Sequence, residues 1–198
     1  MLTKATNNLV YVAVSKLVMY SRDSIDKLVV CYTGNDAYEF NKLKDFLDNV
    51  KLNTLLLQDE YNFAKLNNKI VKECVTSENC LFMNDDVILS SDALAPCLKI
   101  LENKEVGAVG IKLLYGDGTI QHAGIFWDCN NLGMCQGVGH LHFKEKNRDL
   151  PAGIVLGVTG AFLMLRTADF KNISGFDERF KYCFEDVVLC KRIRDLGM

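Results

Sequence analysis

Two acidic doublets carry the chemistry that this sequence can do. The first lies in Leu81-Phe82-Met83-Asn84-Asp85-Asp86-Val87-Ile88-Leu89, where an apolar run delivers adjacent carboxylates and a second apolar run follows. The other, Glu185-Asp186 in Phe184-Glu185-Asp186-Val187, opens an amphipathic segment near the end of the chain. Hard oxygen donors such as Asp85 and Asp86 suit Mg²⁺ or Mn²⁺, which are usually held by one or two carboxylates while substrate phosphates and water complete the octahedron. That set points to a nucleoside diphosphate more than to a cage built from protein alone. A separate carboxylate can act as general base toward an incoming hydroxyl, typically worth about 10²- to 10⁴-fold. Each doublet also has a plain structural explanation. Asn84 and Asp85 make a polar turn, and Glu185 with Asp186 stabilises a helix N-terminus by up to about 1 kcal/mol. Their combination in one chain favours the chemical reading.

The elements around them alternate. Asn7 or Asn8 can cap a helix with Val10, Ala13, Val14, Leu17 and Val18 on one apolar face. Lys27 to Thr33 reads as a buried strand that breaks at Gly34-Asn35-Asp36, a helix follows from Ala37 to Asp48, and Leu52 to Leu57 is another strand. Glu60 to Thr76 is helical by period, and Cys80 to Met83 is the short continuous apolar run of a parallel sheet covered on both faces. In such sheets ligands collect beyond the carboxyl ends of the strands, where residues 84–86 fall. Ser91 and Asp92 begin a helix toward Lys104. Val106 to Leu114 and Thr119 to Trp127 form a hairpin around Tyr115-Gly116-Asp117-Gly118. Residues 128 to 153 are rich in glycine and polar groups with weak periodicity, which predicts a long loop of the lid or binding kind. Gly157 to Leu165 is again a buried strand, Thr167 to Asn172 a short helix, and Glu185 to Leu196 the last helix. This order predicts an α/β fold with a mostly parallel central sheet flanked by helices.

Composition sets the outer limits. With 198 residues, 49% apolar and 24% charged, the chain is sized for one globular domain spanning 1–198. A net charge of −2 and a pI near 5.9 give no general reason to bind nucleic acid. Its one basic cluster, Lys191-Arg192-Ile193-Arg194, fits a helix end. Eight cysteines without a C-x-x-C pair read as reduced core thiols of a cytoplasmic protein. No apolar run has the length of a membrane span, so any work at a membrane would be peripheral, through parts outside this chain. The first and last residues read as the ends of a fragment of a longer protein with further domains. Among the histidines, His122 is favoured as a hydrogen-bonded structural residue. His140 and His142 lack the partners of a tetrahedral zinc site and suit an acceptor contact better. Phe126 and Trp127 are expected in the core rather than against a sugar.

Taken in order, several stretches together resemble the family 2 glycosyltransferases, inverting enzymes of the GT-A fold, and among them the bacterial rhamnosyltransferase-like group. The matching segments are Phe63-Ala64-Lys65-Leu66-Asn67-Asn68, Phe82-Met83-Asn84-Asp85-Asp86, Val106-Gly107-Ala108-Val109-Gly110, Asp117-Gly118-Thr119-Ile120-Gln121-His122-Ala123-Gly124, Val158-Thr159-Gly160-Ala161, Gly175-Phe176-Asp177-Glu178-Arg179-Phe180 and Phe184-Glu185-Asp186-Val187.

The resemblance implies a Rossmann-like nucleotide-diphospho-sugar transferase. In it Asp86 is a direct ligand of Mn²⁺ or Mg²⁺, Asp85 faces the metal and the donor's ribose or sugar beside Asn84, and Asp186 is the catalytic base with Glu185 orienting acceptor or loop. Thr3, Lys4, Asn35, Asp36, Lys65 and Asn68 would approach the nucleotide and its phosphates, while Thr159 and Gly160 shape the sugar pocket. The implied partners are a UDP- or dTDP-sugar donor and a glycan or glycolipid acceptor, with rhamnose or a hexose such as glucose transferred. By the same comparison the chain begins inside the family's first strand and ends before a C-terminal extension. Two rivals remain: a sugar-phosphate nucleotidyltransferase, which would be expected to carry an early Gly-rich phosphate loop that this sequence lacks, and a catalytically silent nucleotide-sugar-binding module.

Overall fold

The computed structural model describes residues 1–5, 8–129, 135–140, 143–146, 152–180 and 183–198, and between 127 and 146 the backbone alone. In chain order the elements are β1 (Leu2–Thr3), α1 (Leu9–Ser21), β2 (Leu28–Tyr32), α2 (Ala37–Asn49), β3 (Thr54–Gln58), α3 (Phe63–Cys74), β4 (Asn79–Met83), α4 (Leu94–Leu101), β5 (Ala108–Gly110), β6 (Leu113–Leu114), β7 (Thr119–His122), β8 (Ile125–Cys129), β9 (Cys135–His140), β10 (Phe143–Lys146), β11 (Phe162–Arg166), α5 (Thr167–Asn172) and α6 (Glu185–Asp195).

Strands β1, β2 and β3 pair in parallel, with Leu2 opposite Cys31 and Leu28 opposite Thr54. Strand β4, expected in a parallel sheet, pairs antiparallel with β11, and β11 pairs antiparallel with β5. A continuous apolar run reports burial on both faces, not the direction of the neighbour. Side chains along β4 and β11 alternate between two cores, and those of β2 between the first of these and a third, where Val29 and Cys31 meet Leu66 and Ile70 of α3. Leu28, Val30, Tyr32, Met83, Phe162 and Met164 join α1, α2 and α4 in one cluster. On the opposite face Cys80, Phe82, Leu163 and Leu165 meet α3, α5 and α6. The result is three layers, helices on both sides of strands.

Phe82 centres the second core. Its ring lies 4.8 Å from Phe176 and 5.0 Å from Phe170, and Phe63 closes on Phe176 at 5.3 Å. Phe82→Ala is expected to lower unfolding free energy by about 3–5 kcal/mol, read from denaturant melts.

Several expectations change. Asn8 occupies the N-cap position of α1 with a left-handed backbone, φ 58°, and makes no cap bond. The 128–153 stretch holds two strands, β9 paired with β8 and β10 paired with β7. Partner strands can impose an extended course on a sequence whose own pattern is weak. Residues 157–161 lie outside β11 and run irregularly, for a reason given below. Phe126 is 39% exposed rather than buried, whereas the side chains of Trp127, His140 and His142 lie outside the described residues. The thiols of Cys31, Cys80, Cys97 and Cys190 are buried and unpaired as expected, and Cys183 is exposed. Among the described residues no helix is long and apolar enough to cross a membrane.

Candidate functional site

Residues 157–161 leave the sheet ladder, and their backbone donors find partners elsewhere. The Val158 N–H points at Cys190 Sγ (3.4 Å), the Thr159 N–H donates to His122 Nε2 (3.3 Å), the Gly160 N–H to Asp186 Oδ2 (2.9 Å), and the Ala161 N–H to Thr159 Oγ1 (3.3 Å). Buried amides must be paired somewhere, and here side chains from β7 and α6 replace a neighbouring strand. That explains why an apolar run legible as strand from Gly157 becomes strand only at Phe162.

The same segment joins the two acidic doublets. Ala161 accepts the Asn84 N–H at 2.9 Å through its carbonyl, immediately beyond the Phe162–Met83 pair of β11 and β4. One residue earlier, Gly160 holds Asp186. The turn at Asp85 and Asp86 and the first turn of α6 are thus tied to consecutive residues at one end of β4 and β11. A Cβ at Gly160 would lie 3.3 Å from the Phe63 ring and 3.6 Å from Asp186 Cβ, so any larger residue would press on the carboxylate's support. Phe63 also brings the first turn of α3, with exposed Lys65, to this corner.

Asp186 is half-buried, with its second oxygen accepting the Val187 N–H at 2.8 Å. Glu185 beside it is buried, and its Oε2 has no hydrogen-bond partner among the described residues. Burial, ahead of the neighbouring Asp186 charge, pushes the Glu185 carboxyl above the usual glutamate range. Such a group binds its proton more tightly folded than unfolded, so its ionisation costs stability as pH rises from the ordinary glutamate range through the raised value. Glu185→Gln is therefore expected to raise the melting temperature by about 2 °C at pH 7, the share of a partly screened charge. Below about pH 4, where both states are protonated, the gain should vanish.

Phe184 precedes the pair with φ 72° and a half-exposed ring. A left-handed non-glycine residue costs roughly 1–2 kcal/mol, and this one starts the helix that aims Asp186.

The orientation of α6 is set from behind. Arg192 donates to the Gly175 carbonyl (3.1 Å) and to Asp177 Oδ2 (2.9 Å), and Arg179 donates to the same carboxylate. Arg179, with Arg192 more weakly, holds the Asp177 carboxyl well below the usual aspartate range. Asn68 of α3 receives the Phe176 N–H (2.8 Å) and donates to the Phe176 carbonyl (2.9 Å) and to Glu178. Gly175, at φ 65°, passes so close to Asn68 Oδ1 that a side chain would collide with it. Asn68, expected at the nucleotide, thus spends its amide on this turn.

A second group lies beyond the carboxyl ends of β1 and β2. Thr3 accepts the Thr33 N–H through its carbonyl at 2.7 Å. Its buried hydroxyl accepts the Ala5 N–H at 2.9 Å, which leaves Lys4 as the exposed neighbour. Asn35 and Asp36 are exposed, with Asp36 Oδ1 capping α2 at Tyr38 N (2.8 Å).

Among the described residues no three His, Cys, Asp or Glu side chains gather into a protein-only metal shell. Half-buried Asp85 and exposed Asp86 supply two hard oxygen donors at a turn. They fit a Mg²⁺ or Mn²⁺ that completes its shell with phosphate and water. His122 is hydrogen-bonded, as its sequence context predicts, whereas the parts that Cys190, Asp177 and Arg192 play around this turn are not predicted by a core thiol, a motif residue and a helix-end cation.

No family model matches the chain. Over 180 residues it is 32% identical to the O-antigen biosynthesis protein RfbC of Myxococcus xanthus, an alignment that covers 86% of this chain and 14% of that protein. The structure resembles the mannosyltransferase PcManGT from Pyrobaculum calidifontis, solved with GDP-Man and Mn²⁺, with a TM-score of 0.69, 14% identity and coverage of 99% of this chain and 51% of that one. It also resembles GalNAc-T7, solved with UDP, GalNAc and Mn²⁺, with a TM-score of 0.73, 8% identity and coverage of 97% and 38%. The chain therefore spans about one seventh of that curated relative and 51% and 38% of those solved chains. These likenesses identify the fold as GT-A.

Proposed function

We propose that this GT-A domain is a metal-dependent inverting glycosyltransferase that moves rhamnose or a hexose from a UDP- or dTDP-sugar to a hydroxyl of a glycan or glycolipid. The observation that carries the reading is the tie of Asn84, ahead of Asp85 and Asp86, to Ala161, and of Asp186 to the adjacent Gly160. Metal-linked donor chemistry and a base are thereby offered to one corner. The names of the relatives, an O-antigen biosynthesis protein and transferases solved with nucleotides and Mn²⁺, support the same class.

Asp86 and Asp85 would hold the cation, which when bound neutralises charge growing on the departing diphosphate. Asp186 takes the proton of the acceptor hydroxyl while that oxygen bonds to the anomeric carbon. The bond from that carbon to the diphosphate breaks on the opposite face, and configuration inverts. No covalent intermediate with the protein is needed; Cys190, near the site, has its thiol pushed up to about 11 by burial and is no nucleophile. Lys4, Asn35, Asp36 and Lys65 are the exposed groups for base and phosphates, whereas Thr3 acts through the loop that carries Lys4 and Asn68 through the turn at Phe176. The half-exposed ring of Phe184 offers an apolar face to the acceptor.

Calorimetric titration of UDP-glucose and dTDP-rhamnose, with and without Mn²⁺, followed by NMR of the product's anomeric centre, tests this. Mn²⁺-dependent binding and an inverted product are expected. Binding without turnover would replace the reading with a silent nucleotide-sugar-binding module, and a retained configuration would remove the direct displacement.

A further inference from the structure

We infer that His122 is a positioning residue for the carboxylate of Asp186, acting through the backbone of Thr159 and Gly160; the inference rests on reading Asp186 as the base. His122 ends β7, is 3% exposed, and stands on a strand held between β6 and β10. Its Nε2 accepts the Thr159 N–H, so that nitrogen is the unprotonated one of the ring. The next peptide is fixed at both ends: the Thr159 carbonyl accepts the Phe162 N–H at 3.2 Å, and the Gly160 N–H reaches Asp186 Oδ2 at 2.9 Å. An apolar side chain at 122 would occupy much of the same space. It would leave the Thr159 N–H without its acceptor in a place where no strand replaces it. The turn would then keep only its bonds from the Phe162 and Ala161 amides to Thr159, and Gly160 would shift from the carboxylate. A base displaced by about 1 Å loses on the order of 10²-fold in rate, although the distant donor groups at Lys4 and Asp36 stay where they are.

Two variants separate this from mere packing. His122→Phe keeps a planar ring, somewhat larger than imidazole, without an acceptor, and His122→Gln keeps an acceptor oxygen. Turnover of UDP-glucose or dTDP-rhamnose, whichever binds, is expected to fall about 10- to 100-fold in kcat for His122→Phe, with the donor Kd within about twofold of wild type, and to stay within about threefold for His122→Gln. In an Asp186→Asn background His122→Phe should cost little more, since both act on one group. The Gly160 amide gives a readout independent of activity: in ¹⁵N-labelled protein its proton shift should move in Asp186→Asn and His122→Phe and be restored in His122→Gln. Equal Gly160 shifts in the two His122 variants overturn the inference, whatever the kinetics. If wild type lacks turnover, the base reading fails and the amide shifts alone decide whether the tie exists.

Discussion

Asp186→Asn is expected to lower turnover by about 10²- to 10⁴-fold while leaving Mn²⁺-dependent donor affinity within about threefold. The amide keeps the size of the carboxylate, and its oxygen can still receive the Gly160 N–H, so the turn and α6 should hold their places. What is lost is the basic oxygen that, on the proposed function, takes the acceptor's proton. The measurement is the rate of product formation at saturating donor, beside a calorimetric Kd for the same donor. A fall in affinity matching the fall in rate would assign Asp186 to donor binding and remove it as base.

Asp86→Asn is expected to have the largest effect on binding: Mn²⁺ should cease to improve donor affinity, with Kd in its presence rising about 10- to 100-fold toward the metal-free value. Asp86 is exposed and stands in a turn, so the fold should not suffer, and an unchanged melting temperature without ligand is part of the expected result. Asp85→Asn should act in the same direction and more weakly, since Asp85 is half-buried and Asp86 exposed. A Kd unaffected by Mn²⁺ already in wild type would undo the metal reading without touching the argument for Asp186.

The elements and the site differ in how far the residues reveal them. The residues from Thr167 to Asn172 predict a helix that is α5 to the residue, and Gly34-Asn35-Asp36 predicts the break after β2. Such features depend on neighbours in sequence, through caps, turns and burial period. Segment 157–161 shows the opposite case. Its apolar pattern is that of a strand, but its amides are claimed by His122, Asp186 and Cys190, residues 26 to 37 positions away. Asn68 has an amide suited to a phosphate or ribose, and only the approach of Phe176, 108 residues later, shows that it is occupied.

The sequence by itself determined the three-layer α/β architecture and the presence of two carboxylate pairs, each beside the end of an apolar element, because burial period and helix-start chemistry are written in short windows. The tertiary structure alone decided that Gly160 and Ala161 serve both pairs, that β4 runs against β11, and that a buried histidine underlies the turn between them. Hydrogen bonds between distant residues select one arrangement from many with the same local pattern, and that selection is made only when the layers pack.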